Sequence, residues 1–272
     1  MVVVSHGRIG GSARAIAGCR ALPYTRAMSS SNGTGSFFTY RDGQQELEGY
    51  VARPAAASSF TRAPVVLVAH AWGGQDDFAR AQADGIAALG YIGFAIDVYG
   101  KGRRGSSPDE NSKLMTPWVE DRAALRTRLL AAVDAATKLD GADPARLAVI
   151  GFCFGGLCAF DLARANAAGV KAAIGFHALF GAPNLGAQSP IGAKVLALHG
   201  YDDPMATPEQ MVGFAKEMTD ARADWQVVAY GHTGHAFTNP HAHDRAGGMF
   251  YRELIADRAF AAMRGLLAES LG

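Results

Sequence analysis

Residues 147–156, Leu-Ala-Val-Ile-Gly-Phe-Cys-Phe-Gly-Gly, constrain this chain more than any other stretch. An apolar run leads straight into a turn bracketed by glycines, with Cys153 at its apex. Gly-x-Cys-x-Gly is the spacing of a nucleophile elbow with sulfur in place of a serine hydroxyl: a strand reverses sharply into a helix, and residues without Cβ leave room for the strained turn. Residues 154–168 read as that helix. Its first turn would set the thiol near the positive end of a helix dipole, which favours the attacking thiolate. Most lone cysteines are small buried hydrophobes, so the elbow acquires chemical meaning only if partners for Cys153 exist elsewhere.

The flanking pattern supplies the scaffold for such partners. Residues 37–41 and 46–52, joined at Asp42-Gly43, read as a hairpin. Residues 64–70 are continuously apolar up to His70, as in a strand covered on both faces. A helix over 77–89, a strand over 91–97, a loop through Ser112 and a long helix over 116–139 precede the elbow. Strands over 171–176, 194–199 and 225–230 follow it, with helices over 207–219 and 244–271. Strands alternating with helices predict an α/β fold: a mostly parallel sheet with helices on both faces and right-handed crossovers, carrying an antiparallel hairpin at its N-terminal side. A chain of 272 residues suits one such domain, assigned here to residues 36–272. Residues 1–35 form a separate segment. It has no Asp or Glu and carries Arg8, Arg14, Arg20 and Arg26, so it is expected to be disordered or transit-like.

In sheets of this kind the reacting groups sit on loops at the carboxyl ends of the strands. Two loops answer: Gly200-Tyr201-Asp202-Asp203-Pro204 after one strand, and Gly231-His232-Thr233-Gly234-His235-Ala236-Phe237 after the next. Their order behind Cys153, nucleophile then acid then histidine, is that of α/β-hydrolases. The chemistry needs all three, because imidazole takes the thiol proton and later activates water while a carboxylate fixes its tautomer. His70 and His199, each ending an apolar strand, read as structural histidines.

With the Gly-Phe-Cys-Phe-Gly-Gly elbow, the Gly200-x-x-Asp203 loop and the His235-Ala236-Phe237 loop at matching intervals, the chain resembles the dienelactone hydrolase family over residues 37–271. The resemblance implies a single-domain α/β-hydrolase that cleaves a carboxylic ester or lactone through a covalent thioester, without a cofactor or metal. It implies Cys153 as nucleophile, His235 as base and Asp203, rather than Asp202, as the orienting acid. The backbone N–H groups of Trp72 and Phe154 would form the oxyanion hole, and Lys101, Phe237 and Asn239 would contact substrate. At three positions the chain departs from the family's type enzyme, which has glutamate at the position of Ala71 and carboxylate-binding arginines at those of Lys101 and Asn239. Neither Lys nor Asn reproduces the bidentate geometry of Arg, so an esterase or lactonase with its own specificity is expected.

Other functions fit less of the sequence. A near-neutral balance, +1 with 19% charged residues, provides no global field for nucleic acid or anionic membranes. No apolar run reaches the roughly 18 residues of a membrane helix. The small-molecule ester or lactone is therefore the expected partner, with the oligomeric state left open, a monomer included. Cys19, Cys153 and Cys158 form no paired framework, which points to a reducing, cytoplasmic setting, or to an organelle if residues 1–35 are a transit peptide. Two alternatives keep the fold without turnover. In one, His232, His235, His241 and His243 bind metal; in the other, Cys153 is a redox-sensing thiol.

Overall fold

The computed structural model describes residues 35–55 and 62–272, and residues 1–34 of the expected N-terminal segment lie outside them. Eight strands form one sheet in the order β1-β2-β4-β3-β5-β6-β7-β8. They are β1 Ser36–Asp42, β2 Gln45–Ala52, β3 Ala63–Ala69, β4 Ile92–Ile96, β5 Ala142–Phe152, β6 Val170–Phe176, β7 Lys194–Gly200 and β8 Trp225–Tyr230. β1 and β2 form the expected hairpin. Its two-residue turn pairs Asp42 with Gln45 and places Gly43 at φ 55°, a left-handed value that matches the twist of the flanking strands and suits glycine. β2 runs antiparallel to β4, and β3 to β8 are mutually parallel.

Helices α1 Asp77–Ala88 and α6 Glu253–Leu271 cover one face, and α3 Arg122–Thr137, α4 Phe154–Arg164 and α5 Pro208–Asp220 the other. Alternate residues of a strand point to opposite faces, so β3 divides between two cores: Val65 and Leu67 pack with α3 and α4, Val66 and Val68 with α1 and α6. Burial on both sides explains why these strands read as unbroken apolar runs. β3 is flanked by β4 and β5, so the chain leaves it in one direction and returns to its other side. That reversal opens a crevice beyond the carboxyl ends of β3 and β5. The arrangement is that of an α/β-hydrolase.

Two helices differ from the sequence expectation. The long helix over 116–139 is two helices, α2 Pro108–Glu120 and α3, broken at Asp121. Ser107 caps α2 by accepting from the Glu110 amide, and Pro108 occupies its first turn; Asp121 ends α2 and caps α3 by accepting from Ala124 N. A capping carboxylate competes with the helical path, so apolar spacing that continues through Asp121 reads as one helix. The last helix begins at Glu253, and the residues before it form a small hairpin, β9 His243–Asp244 with β10 Met249–Phe250. Gly248 there takes φ 72°.

Candidate active site

The elbow is set by three close approaches. A Cβ on Gly151 would lie 1.9 Å from the Gly155 carbonyl oxygen, on Gly155 2.1 Å from that of Ala69, and on Gly156 2.4 Å from the Ala178 Cβ. No side chain tolerates such distances, so glycine lets α4 fold back onto β5 and β3. The turn leaves Cys153 at φ 56° and ψ −116° as the cap of α4, its amide donating to the Phe176 carbonyl at 3.0 Å. Strain of this kind persists only where surrounding structure over-determines it; every residue of α4 is buried. Cys153 is partly exposed. Cys158 is fully buried, and burial, with Asp161 nearby, pushes its thiol well above the ordinary range.

His235 reaches the thiol on a loop held from outside. Its amide donates to Gly248 O at 2.7 Å and its carbonyl accepts from Phe250 N at 3.2 Å, so the β9–β10 hairpin clamps the loop. Its Nδ1 is 2.8 Å from Asp203 Oδ2, and Asp203 Oδ1 accepts from Met205 N at 2.8 Å. Asp202 is exposed and lies 3.9 Å from the solvent-exposed His232. The other face of the imidazole meets Cys153. Burial opposes a charge on His235, but the Cys153 sulfur, acting by charge and weak hydrogen bonding, and the Asp203 carboxylate outweigh it and push the imidazole up to about 10. Nε2 has no hydrogen bond of good geometry, the loose contact usual in enzymes without substrate.

A cleft of about 400 Å³ opens over this group, with Trp72, Cys153, His235 and Asn239 in its wall. The loop bearing Trp72 is braced from behind. His70 donates from Nδ1 to Ala71 O at 2.6 Å and accepts at Nε2 from Val98 N at 3.2 Å, while Tyr99 donates its hydroxyl to Trp72 O at 3.0 Å. His70 is thus a satisfied structural histidine, held neutral chiefly by burial. Phe154 is the first residue of α4, where an amide has no carbonyl one turn back to bond. The structure therefore brings Cys153, His235, Asp203, Trp72, Phe154 and Asn239 to one place.

Lys101 and Phe237 lie apart from it. Lys101 pairs with Glu46 at 2.8 Å and Glu48 at 3.6 Å, and its amide donates to the Glu46 carbonyl, tying its loop to β2. Phe237 is wholly buried against His177 and Tyr230. Among the described residues no group of His, Cys, Asp or Glu is placed to hold a metal ion. Leu179 and Asn111 in the wall belong to the loops 179–190 and 101–112, where the sequence places specificity; Phe78, Met115, Met205, Met249 and His177 were not identified by sequence reading. Arg104 also lines it, with its guanidinium on the carbonyl and side-chain oxygens of Gln75. His177 had a signal, since it directly follows a parallel strand. The methionines had none: they come from a helix, a loop and a hairpin far apart in sequence.

The sequence model of the dienelactone hydrolase family matches residues 47–271. A Bradyrhizobium sp protein named "Probable 2-oxo-3-(5-oxofuran-2-ylidene)propanoate lactonase" is 27% identical over 233 residues, covering 80% of this chain and 87% of that protein. Among solved structures, "m3DLH" is 33% identical with a TM-score of 0.79, covering 88% of this chain and 98% of its own. A dienelactone hydrolase-like promiscuous phosphotriesterase from metagenomic libraries is 31% identical with a TM-score of 0.80, covering 88% and 99%.

Proposed function

The chain belongs to the dienelactone hydrolase family, and we propose that it cleaves its ester or lactone substrate with a Cys153–His235–Asp203 triad through a thioester acyl-enzyme. Membership makes it a hydrolase of an ester or lactone bond. The observation that carries the triad is the 2.8 Å contact between Asp203 and His235 Nδ1, which leaves Nε2 facing the Cys153 sulfur.

In the proposed sequence the Cys153 sulfur attacks the carbonyl carbon, and the oxygen, gaining negative charge, is met by the amides of Trp72 and Phe154. Preorganised donors of this type are worth about 3 kcal/mol each. Imidazolium at His235 protonates the departing alkoxide, or the ring oxygen of a lactone, and the acyl group remains on sulfur. Neutral His235 then takes a proton from water, which attacks the thioester and releases the acid. Asp203 keeps the proton on Nδ1 throughout, so that Nε2 is the exchanging atom. The largely apolar wall suits an uncharged acyl or alcohol group, and no arginine stands at Asn239 to grip a carboxylate as in the type enzyme. The reading makes a cofactor unnecessary and leaves the site's histidine to chemistry rather than metal.

Rapid-quench mass spectrometry with a simple aryl ester tests the reading. An acyl adduct on Cys153, absent in Cys153→Ala together with turnover, is the expected result. Turnover that survives Cys153→Ala would refute it.

A further inference from the structure

Resting on that triad reading, we propose that Met205 and Met249 form the leaving-group subsite and select esters of apolar alcohols, or lactones with an apolar substituent on the ring carbon beside the ring oxygen. Both methionines line the cleft with Cys153 and His235. Each is tied to a different member of the triad. The two hydrogen bonds that clamp His235 run to Gly248 and Phe250, the residues on either side of Met249, and His235 pairs with Met249 itself in a parallel bridge. Residues paired in this way present their side chains to one face, so the Met249 thioether stands on the imidazole side. The Met205 amide donates to Asp203 Oδ1 at 2.8 Å. Pro204 meets the hairpin, since a Cβ on Gly248 would lie 3.0 Å from its Cγ and Cδ. The two methionines thus follow directly on residues in contact, and belong to one end of the cleft.

That end is where the leaving group must go. In acylation the carbon–sulfur bond forms, the carbon–oxygen bond breaks, and the departing oxygen takes the proton from His235 Nε2. Transfer needs that oxygen within hydrogen-bond reach of the nitrogen, about 2.6 to 3.2 Å. Whatever the oxygen carries then lies over the side chains around the imidazole. The charged lining residues stand elsewhere: Arg104 is held on Gln75, and the Gly105 amide donates to Gly73 O at 3.0 Å, which ties them to the loop bearing Trp72 and Asp76. Asn239 belongs to the histidine's loop, but its side-chain oxygen accepts from the His241 amide at 2.9 Å.

Methionine suits this task. Its side chain is unbranched and its polarisable sulfur makes favourable contacts with aromatic rings, so it adapts to groups of different outline. Met205 is 42% exposed and Met249 half-buried, which leaves apolar surface for a bound group to remove from water. Burying one methylene is worth about fourfold in kcat/KM. Length added on the alcohol side should therefore be rewarded through these two residues. Length added on the acyl side should not depend on them.

Isomeric aryl esters test the assignment. 4-Ethylphenyl acetate lengthens phenyl acetate on the alcohol side and phenyl butanoate lengthens it equally on the acyl side, with leaving phenols of nearly equal basicity. In the wild-type protein kcat/KM for 4-ethylphenyl acetate should exceed that for phenyl acetate by about tenfold. In Met205→Ser and Met249→Ser that ratio should fall to about twofold, while the ratio of phenyl butanoate to phenyl acetate stays within about twofold of its wild-type value. Met205→Leu should retain most of the gain. Each ratio is taken within one preparation, so the folded fraction cancels. A wild-type ratio near unity, an alcohol-side ratio unchanged in both serine variants, or a loss shared equally by the two ratios would overturn the subsite. Acetyl on Cys153 checks the reading beneath it separately: its absence from quenched wild-type turnover would remove the triad, and this assignment with it, whatever the ratios.

Discussion

Two buried carboxylate assemblies lie on different sides of this molecule, and they differ in what they leave unpaired. Beside α3 and α4, Asp161 accepts from Arg122 at 2.5 and 2.8 Å and from Arg164 at 3.1 Å, and Arg164 grips Glu217 at 2.7 and 2.8 Å. The remaining guanidinium donors reach the carbonyls of Gly181 and Phe180. A second cavity of about 370 Å³ lies over this network, walled in part by the same side chains. At the end of the sheet, Asp203 binds one nitrogen of His235 and the other is left facing a sulfur. Burial is common to both. Saturation makes the first a brace; in the second an exchangeable position is left open, as the proposed triad requires.

Substitutions should separate the two assemblies, the first by stability and the second by rate. Cys153→Ala and His235→Ala should each abolish ester turnover, by on the order of a millionfold, with melting temperature little changed; members of such a unit do not add, so the double variant should be no worse. Asp203→Asn should cost less, on the order of 10⁴-fold in kcat, because the imidazole keeps its place but loses its correct tautomer. Asp161→Ala should do the reverse. Stranding two buried guanidinium groups costs about 3 to 5 kcal/mol, which at roughly 2 to 4 °C per kcal/mol lowers the melting midpoint markedly, yet turnover per folded molecule should hold. A fall in kcat comparable to that of Asp203→Asn would break the distinction between brace and site.

A smaller effect sharpens the account of His235. Its value of about 10 lies above the usual 6.5, so protonated imidazole is the form held in the folded protein through neutral pH. Histidine NMR should follow that proton until pH approaches about 10. In Cys153→Ala it should leave at lower pH, because burial then works against Asp203 alone. An unchanged titration would mean that the sulfur is not the charge partner. The smallest change belongs to Lys101→Ala. An exposed lysine paired with Glu46 and Glu48 in solvent contributes little to stability, and KM should stay within about twofold; a larger rise would restore Lys101 to the substrate.

Much of this was legible in the sequence, and the physical reason differs from residue to residue. The elbow could be read because each of its requirements is local: three missing Cβ atoms, an apolar strand before, a helix after. The proximity of Asp203 and His235 could be anticipated because parallel strands deliver their following loops to the same edge, which turns order along the chain into proximity. Choosing Asp203 over its neighbour Asp202 came from family spacing; in the fold Asp203 is the one of the two that contacts His235. The break at Asp121 and the hairpin before α6 were missed, since a capping carboxylate and a two-residue strand leave little periodicity.

What tertiary structure alone decided is the environment of those residues. Lys101 was placed on substrate by position, but its nearest opposite charges are on β2, and Coulomb attraction takes it there. His177 owes its place beside His235 to Thr238 and the packing of Phe237, contacts that span some sixty residues. Sequence by itself determined which atoms can react and the order in which the chain presents them, because those depend on residue type and local backbone. Which neighbours each atom keeps, and which bond is left unmade, depends on distances between remote segments, and only the folded sheet sets those.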